Sequence, residues 1–156
     1  MTTPWVRRSL LAVTAAGIVA TAFELASERH WNGFEQLIPW AAAAVLTVAV
    51  GLACTRRRAA HLLARTLALM VMGASLYGVL DHAAVNHHSG PLDQRYADSW
   101  DAMSETQQWW YAVTKMVGPA PVLAPGILAQ TAFLLILASA LRANDAREFG
   151  AVTAGR

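Results

Sequence analysis

The chain has 156 residues and a net charge of +2; 56% of its residues are hydrophobic and only 14% charged, with a mean hydropathy of +0.37. Soluble domains carry about 25% charged residues, so this composition excludes an ordinary cytosolic domain, and the length excludes two-domain enzymes and large transporters. The single cysteine, Cys54, excludes an internal disulfide and a cysteine-built zinc site, and the basic residues, eleven arginines and one lysine scattered at segment ends, form no nucleic-acid-binding stripe.

Four stretches are apolar enough to cross a bilayer core, which needs about 20 helical residues. In chain order they are residues 5–27, 37–54, 59–85 and 122–141. None alternates with period two, which argues against a membrane barrel. The expected fold is all-α, a polytopic four-helix transmembrane bundle forming a single domain over residues 1–156, with one long extracytoplasmic loop at 86–116 between helices 3 and 4. Arg7-Arg8, the apolar run after them and the small residues Ala20, Thr21 and Ala22 also have the layout of a secretory signal. The link after Cys54 is long enough only for a tight helix–helix turn. In the outer loop Ser89-Gly90-Pro91 is a breaker, and Ala97 to Lys115 is expected to form a short interfacial helix with Trp109 and Trp110 at headgroup level.

The charges give the orientation. Arg7, Arg8, Arg56, Arg57, Arg58, Arg65, Arg142, Arg147 and Arg156 fall on one side, against Asp145 and Glu148. The other side carries Arg29, Arg95 and Lys115 against Glu24, Glu28, Glu35, Asp81, Asp93, Asp98, Asp101 and Glu105. Positive charge stays inside, so the expectation is a multi-pass protein of the cell membrane with N- and C-termini cytoplasmic. Trp31, Trp40, Trp109 and Trp110 fit an outer aromatic belt and Trp5 an inner one.

Ionisable residues at membrane depth are costly and commonly functional. Glu24 and Glu28, four apart, project from one face of the first helix, and His30 follows. Asp81-His82 closes the third span, with Asn86 one turn beyond His82, then His87 and His88. Carboxylates and imidazoles reaching one leaflet suit a transition metal: zinc, iron, manganese or copper. The candidate ligands are Glu24, Glu28, His30, Asp81 and His82, with Asp81 alternatively orienting an imidazole. A bis-histidine haem between His30 and His82 is a variant of the same expectation. The bland reading is that the carboxylates pair with Arg29 or lie among headgroups, and that His87 and His88 are solvated loop residues. The fourth span opens on Gly118-Pro119-Ala120-Pro121 and Ala124-Pro125-Gly126, which predicts an irregular outer mouth or a proline-started helix.

The run Glu28-Arg29-His30-Trp31-Asn32-Gly33-Phe34-Glu35-Gln36, closing at Pro39, resembles the end of helix one in uncharacterised small four-helix bacterial integral membrane proteins, where a proline opens helix two. Gly78-x-x-x-His82 and the block from Gly118 to Gly126 are similar to that group as well. The resemblance implies topology rather than an activity, and draws attention to His30 and His82. Arg29-His30-Trp31-Asn32-Gly33-Phe34-Glu35, with Pro39, is also similar to a stretch of the membrane-associated eicosanoid and glutathione metabolism proteins. That likeness implies glutathione binding through Arg29, Asn32 and Glu35.

Three functions follow as expectations. The first is a metal-binding or haem membrane protein with its site at the outer ends of helices 1 and 3. The second is a non-catalytic assembly or stabilising subunit of a membrane complex. The third is a glutathione-transferase-like membrane enzyme. The expected partners are the lipid bilayer, a homo-oligomer or a membrane-complex partner, and no nucleic acid.

Overall fold

The structure, a computed structural model, describes the backbone of residues 3–154 and the side chains of residues 4–141. It has five α-helices: α1 Thr3–Ser27, α2 Phe34–Cys54, α3 Arg58–Ser89, α4 Glu105–Val113 and α5 Ala124–Ala154. Short 3-10 turns occupy Gly90–Leu92 and Trp100–Ala102. Among the described residues there is no strand. Four helices, all but α4, are long and apolar enough to cross a membrane. The tail charges Arg142, Asp145, Arg147, Glu148 and Arg156, used above for orientation, lie outside the described side chains.

Element boundaries depart from expectation in three places. Helix α2 starts at Phe34, so Pro39 lies inside it rather than opening it. Helix α3 continues to Ser89, so Asn86, His87 and His88 are helical and not loop. Nothing breaks the helix before Gly90-Pro91, and the Ser89 hydroxyl donates back to the Val85 carbonyl at 2.8 Å. The expected interfacial helix over 97–115 shortens to α4. Ser104 caps it, its hydroxyl accepting from the Gln107 N–H at 3.3 Å.

Contacts divide the chain into two compact units, Met1–Gly73 with Ile127–Arg156, and Ala74–Gly126. The first unit has one apolar core fed by four helices: Ile18 from α1; Ala43, Leu46, Ala49 and Ala53 from α2; Ala64, Ala68 and Val71 from α3; Leu128, Ala132 and Leu135 from α5. These positions recur three or four residues apart, the spacing of a helical stripe. Most are alanine, which lets backbones approach closely. At Gly17 the approach is close, because an added Cβ would lie 2.7 Å from Thr131 Oγ1. Apart from Leu46, Leu128 and Leu135 in the core, many large side chains point outward: Phe23 is 76% exposed, Val48 57%, Leu69 52% and Phe133 49%. Small residues inside and bulky apolar ones outside are what a hydrocarbon solvent favours, since lipid tails solvate leucine as well as a core does.

One end of this unit is basic. Arg7 Nη2 donates to the Ala53 carbonyl at 2.6 Å, satisfying a free carbonyl at the end of α2. The Thr55 carbonyl in the tight turn after α2 accepts from His61 Nε2 at 2.9 Å. Since a carbonyl only accepts, that nitrogen carries the proton. At the other end α1 stops in a Schellman motif, with the His30 N–H donating to the Leu25 carbonyl (2.9 Å) and the Arg29 N–H to that of Ala26 (3.1 Å). Arg29 takes the left-handed conformation (φ 51°) that glycine usually supplies.

The second unit is folded around the C-terminal half of α3, from Ala74 on. Trp100 (3% exposed), Ala112 and Val117 form its core, with Tyr96, Met103 and Tyr111 against it. Gly90 is required here, because a Cβ would collide with the Trp100 indole. Helix α4 ends in a second Schellman motif, closed by Lys115 at φ 56°, with Met116 N–H donating to the Tyr111 carbonyl at 2.9 Å.

Candidate functional site

In the first unit, Glu24 and Glu28 are exposed at the end of α1, as are Arg29, Asn32 and Glu35 after it. The expected pairing of these carboxylates with Arg29 does not form: among the described residues the one ion pair is Arg95–Asp93, at 2.8 Å. His30 is half-buried, and its carbonyl accepts from the Trp40 indole N–H at 2.8 Å. That bond fastens the α1–α2 turn to the body of α2. An open hollow of about 400 Å³ lies over Asn32, Gly33, Phe34, Glu35 and Gln36. It holds two of the three residues implied by the glutathione resemblance, Asn32 and Glu35.

The second unit has the more developed polar chemistry, and its centre is Asn86. This side chain is fully buried. Its amide donates to the Ala112 carbonyl at 3.1 Å and to the Ala120 carbonyl at 2.9 Å, and its Oδ1 accepts from the Ala120 N–H at 2.8 Å. One carboxamide thereby ties α3, the end of α4 and the proline block together. The backbone around Gly118 lies against it so closely (φ 78°) that a Cβ would overlap Asn86. Irregular backbone near a bilayer persists only where protein or water satisfies it, and Asn86 is the group that does so here. The irregular entry to the fourth span expected from Gly118-Pro119-Ala120-Pro121 is present, and α5 begins only at Ala124, with Pro125 in its first turn.

One turn before Asn86, His82 is half-buried with Nδ1 3.0 Å from the Pro121 carbonyl. A carbonyl can only accept, so Nδ1 is the protonated nitrogen of the neutral ring and Nε2 carries the free lone pair. Asp81 beside it is exposed. His87, expected to be solvated, is half-buried instead. It stacks on Trp109 at 4.4 Å between ring centroids and meets Trp100 edge-on at 5.7 Å. Its Nε2 is buried with no hydrogen-bond partner. His88 is exposed.

Asp93 and Arg95 close the loop before α4. Arg95 donates from Nε and Nη2 to the Asp93 carboxylate, at 3.0 and 2.8 Å, and from Nη2 to the Met116 carbonyl at 2.6 Å. The side-chain hydrogen bonds from Arg95, then its backbone N–H, hold the Asp93 carboxyl below the usual carboxylate range.

Among the described residues no three His, Cys, Asp or Glu side chains are gathered in a group that could hold a metal ion. Glu24, Glu28 and His30 belong to the first unit, and Asp81 and His82 to the second. Asn86, Gly118 and Trp100 were not singled out as functional in the sequence. The visible sign for Asn86 is its placement one turn after His82, ahead of a proline block. The chain matches no family model, no curated protein and no solved structure.

Proposed function

We propose that the chain is a multi-pass protein of the cell membrane, both termini cytoplasmic, that offers His82 on its outer side as an imidazole ligand to a transition metal or haem. The observation carrying this reading is the His82 Nδ1–H bond to the Pro121 carbonyl. A histidine that ligates a metal typically donates its other ring N–H to a carbonyl or carboxylate, which fixes the tautomer and aims the lone pair. His82 has that arrangement, on a rigid helix, beside the exposed carboxylate of Asp81. Zinc, iron, manganese, copper or a haem iron all accept such a nitrogen. The likeness of Gly118–Gly126 and of the Glu28–Pro39 stretch to small four-helix bacterial membrane proteins is part of the same reading and bears on topology alone.

The test is the metal content and absorption spectrum of the detergent-purified protein, purified without chelator, beside His82→Ala. Near-stoichiometric metal or a haem band, lost in the variant while the helical circular dichroism persists, is the expected result. A colourless, metal-free wild-type protein refutes the ligand role and leaves His82 as a tie between α3 and the proline block, the arrangement an assembly subunit needs. Glu24→Gln and Glu28→Gln, measured alongside, decide whether the carboxylates of α1 take metal of their own. For orientation, single cysteines at Asp98 and Arg57 in a Cys54→Ser background are expected to label from outside and inside respectively. All three positions are exposed, whereas Trp100 is buried and unsuitable for labelling.

A further inference from the structure

The first unit contains a cation that its own described residues do not neutralise. Arg65 lies seven residues beyond Arg58, about 10 Å further along α3 at 1.5 Å per residue. It is half-buried, and its Nη2 donates to the main-chain carbonyl of Ser139 on α5. Its Nε is buried without a hydrogen-bond partner, and so is the hydroxyl of Ser139. Ser139 itself is 1% exposed. A neutral carbonyl does not offset a guanidinium charge at membrane depth, where an unpaired cation is costly. The described acids of this unit, Glu24, Glu28 and Glu35, lie at the opposite ends of α1 and α2 from Arg7 and Arg56. At the same end of the unit as Arg7 stand Arg8, Arg56, Arg57 and Arg58, all exposed.

We propose that this arginine end binds a phosphate oxyanion, carried by the headgroup of an anionic phospholipid, with Arg65 as the deep ligand. Three features point to a phosphate. Arginine is the side chain whose planar donors suit phosphate oxygens. The surrounding arginines attract an anionic headgroup from the surface. The unsatisfied Nε–H and Ser139 hydroxyl, both buried, are donors beside the guanidinium that a phosphate oxygen reaches once the side chains around them part. The location, one headgroup depth below the helix ends, points to a lipid as the carrier.

The experiment uses the full chain in detergent. Retention of phosphatidylglycerol and phosphatidylcholine is counted by native mass spectrometry, with the unfolding temperature read in parallel and inorganic phosphate as a third probe. Wild type is expected to retain phosphatidylglycerol over phosphatidylcholine by about ten-fold or more, given about five-fold for each arginine near a charged surface. Arg65→Gln is expected to lower that preference by clearly more than the about five-fold of a rim arginine, and Arg65→Lys, which keeps the charge, to lower it less. Arg57→Gln on the exposed rim is expected to cost no more than about five-fold. An equal response to inorganic phosphate keeps the oxyanion site and makes free phosphate its source. No preference in wild type, or one that Arg65→Gln lowers no further than Arg57→Gln does, overturns the proposal. So does a lipid-independent loss of stability shared by Arg65→Gln and the double variant Asp145→Asn/Glu148→Gln, which would assign the counter-charge to the tail.

Discussion

Replacing Asn86 by alanine removes three hydrogen bonds in one step, two donated to the carbonyls of Ala112 and Ala120 and one accepted from the Ala120 N–H. Asn86 is fully enclosed, so no water takes its place without rearrangement. At a net value of about 1 kcal/mol for each bond, the loss is about 3 kcal/mol, and the orphaned Ala120 N–H adds to it. Alternative partners are scarce there: Ala120 is flanked by Pro119 and Pro121, which have no N–H of their own. The assay is hydrogen exchange of peptides covering residues 108–124 in detergent. A loss of about 3 kcal/mol corresponds to about a 100-fold drop in protection if this segment opens locally. Asn86→Asp keeps the shape but turns two donors into acceptors facing carbonyls, and is expected to be at least as damaging. Protection within about two-fold of wild type in Asn86→Ala, or a benign Asn86→Asp, would refute the claim that this carboxamide holds the proline block.

Three further outcomes follow from the geometry. Gly118→Ala places a Cβ against Asn86 at a left-handed backbone position, and is expected to cost about 2 kcal/mol or more, read by the same exchange experiment. Arg29→Gly and Lys115→Gly relieve left-handed strain at two Schellman positions; each is expected to raise stability by about 0.5–1 kcal/mol, read by thermal unfolding in detergent. The Asp93 carboxyl is held below its unfolded value by Arg95, so its contribution is complete above about pH 4–5 and is lost as the pH falls through the folded value. Proteolysis of the 93–103 loop is therefore expected to rise on acidification in wild type and to be high and pH-independent in Asp93→Asn.

The four helices long and apolar enough to cross a membrane were legible in the sequence because hydropathy is additive along the chain and needs no knowledge of partners. The tight turn after Cys54 was legible too, since Thr55-Arg56-Arg57 leaves no room for anything longer. The end of α3 was not. His87 and His88 read as solvated by composition, and only contact with Trp100 and Trp109, more than ten residues away, half-buries His87. His82 stood out by residue type, but the carbonyl that sets its tautomer lies 39 residues on, at a proline whose ring identity says nothing of its oxygen. Asn86 shared a helical face with His82 in plain view, yet its function is to satisfy backbone groups, and unsatisfied backbone leaves no mark in a sequence. The expected convergence of acidic and imidazole ligands rests on equal depth in a bilayer, and its residues fall in two units, Glu24, Glu28 and His30 in the first and Asp81 and His82 in the second.

The inverted size distribution of the first unit has a consequence for how the chain tolerates variation. At Ala49, Ala53, Ala64, Ala68 and Ala132, all fully buried, any larger residue must push helices apart, so selection there acts on volume. At Phe23, Val48, Leu69 and Phe133, all exposed, apolar residues interchange freely while a charge is rejected, so selection acts on polarity. A saturation-mutagenesis profile along any of these helices would therefore show two interleaved waves of the same helical period, one of size intolerance and one of charge intolerance, half a turn out of phase. The phase at which the charge wave fades, residue by residue, would trace the two faces of the bilayer on the protein without any label or lipid probe.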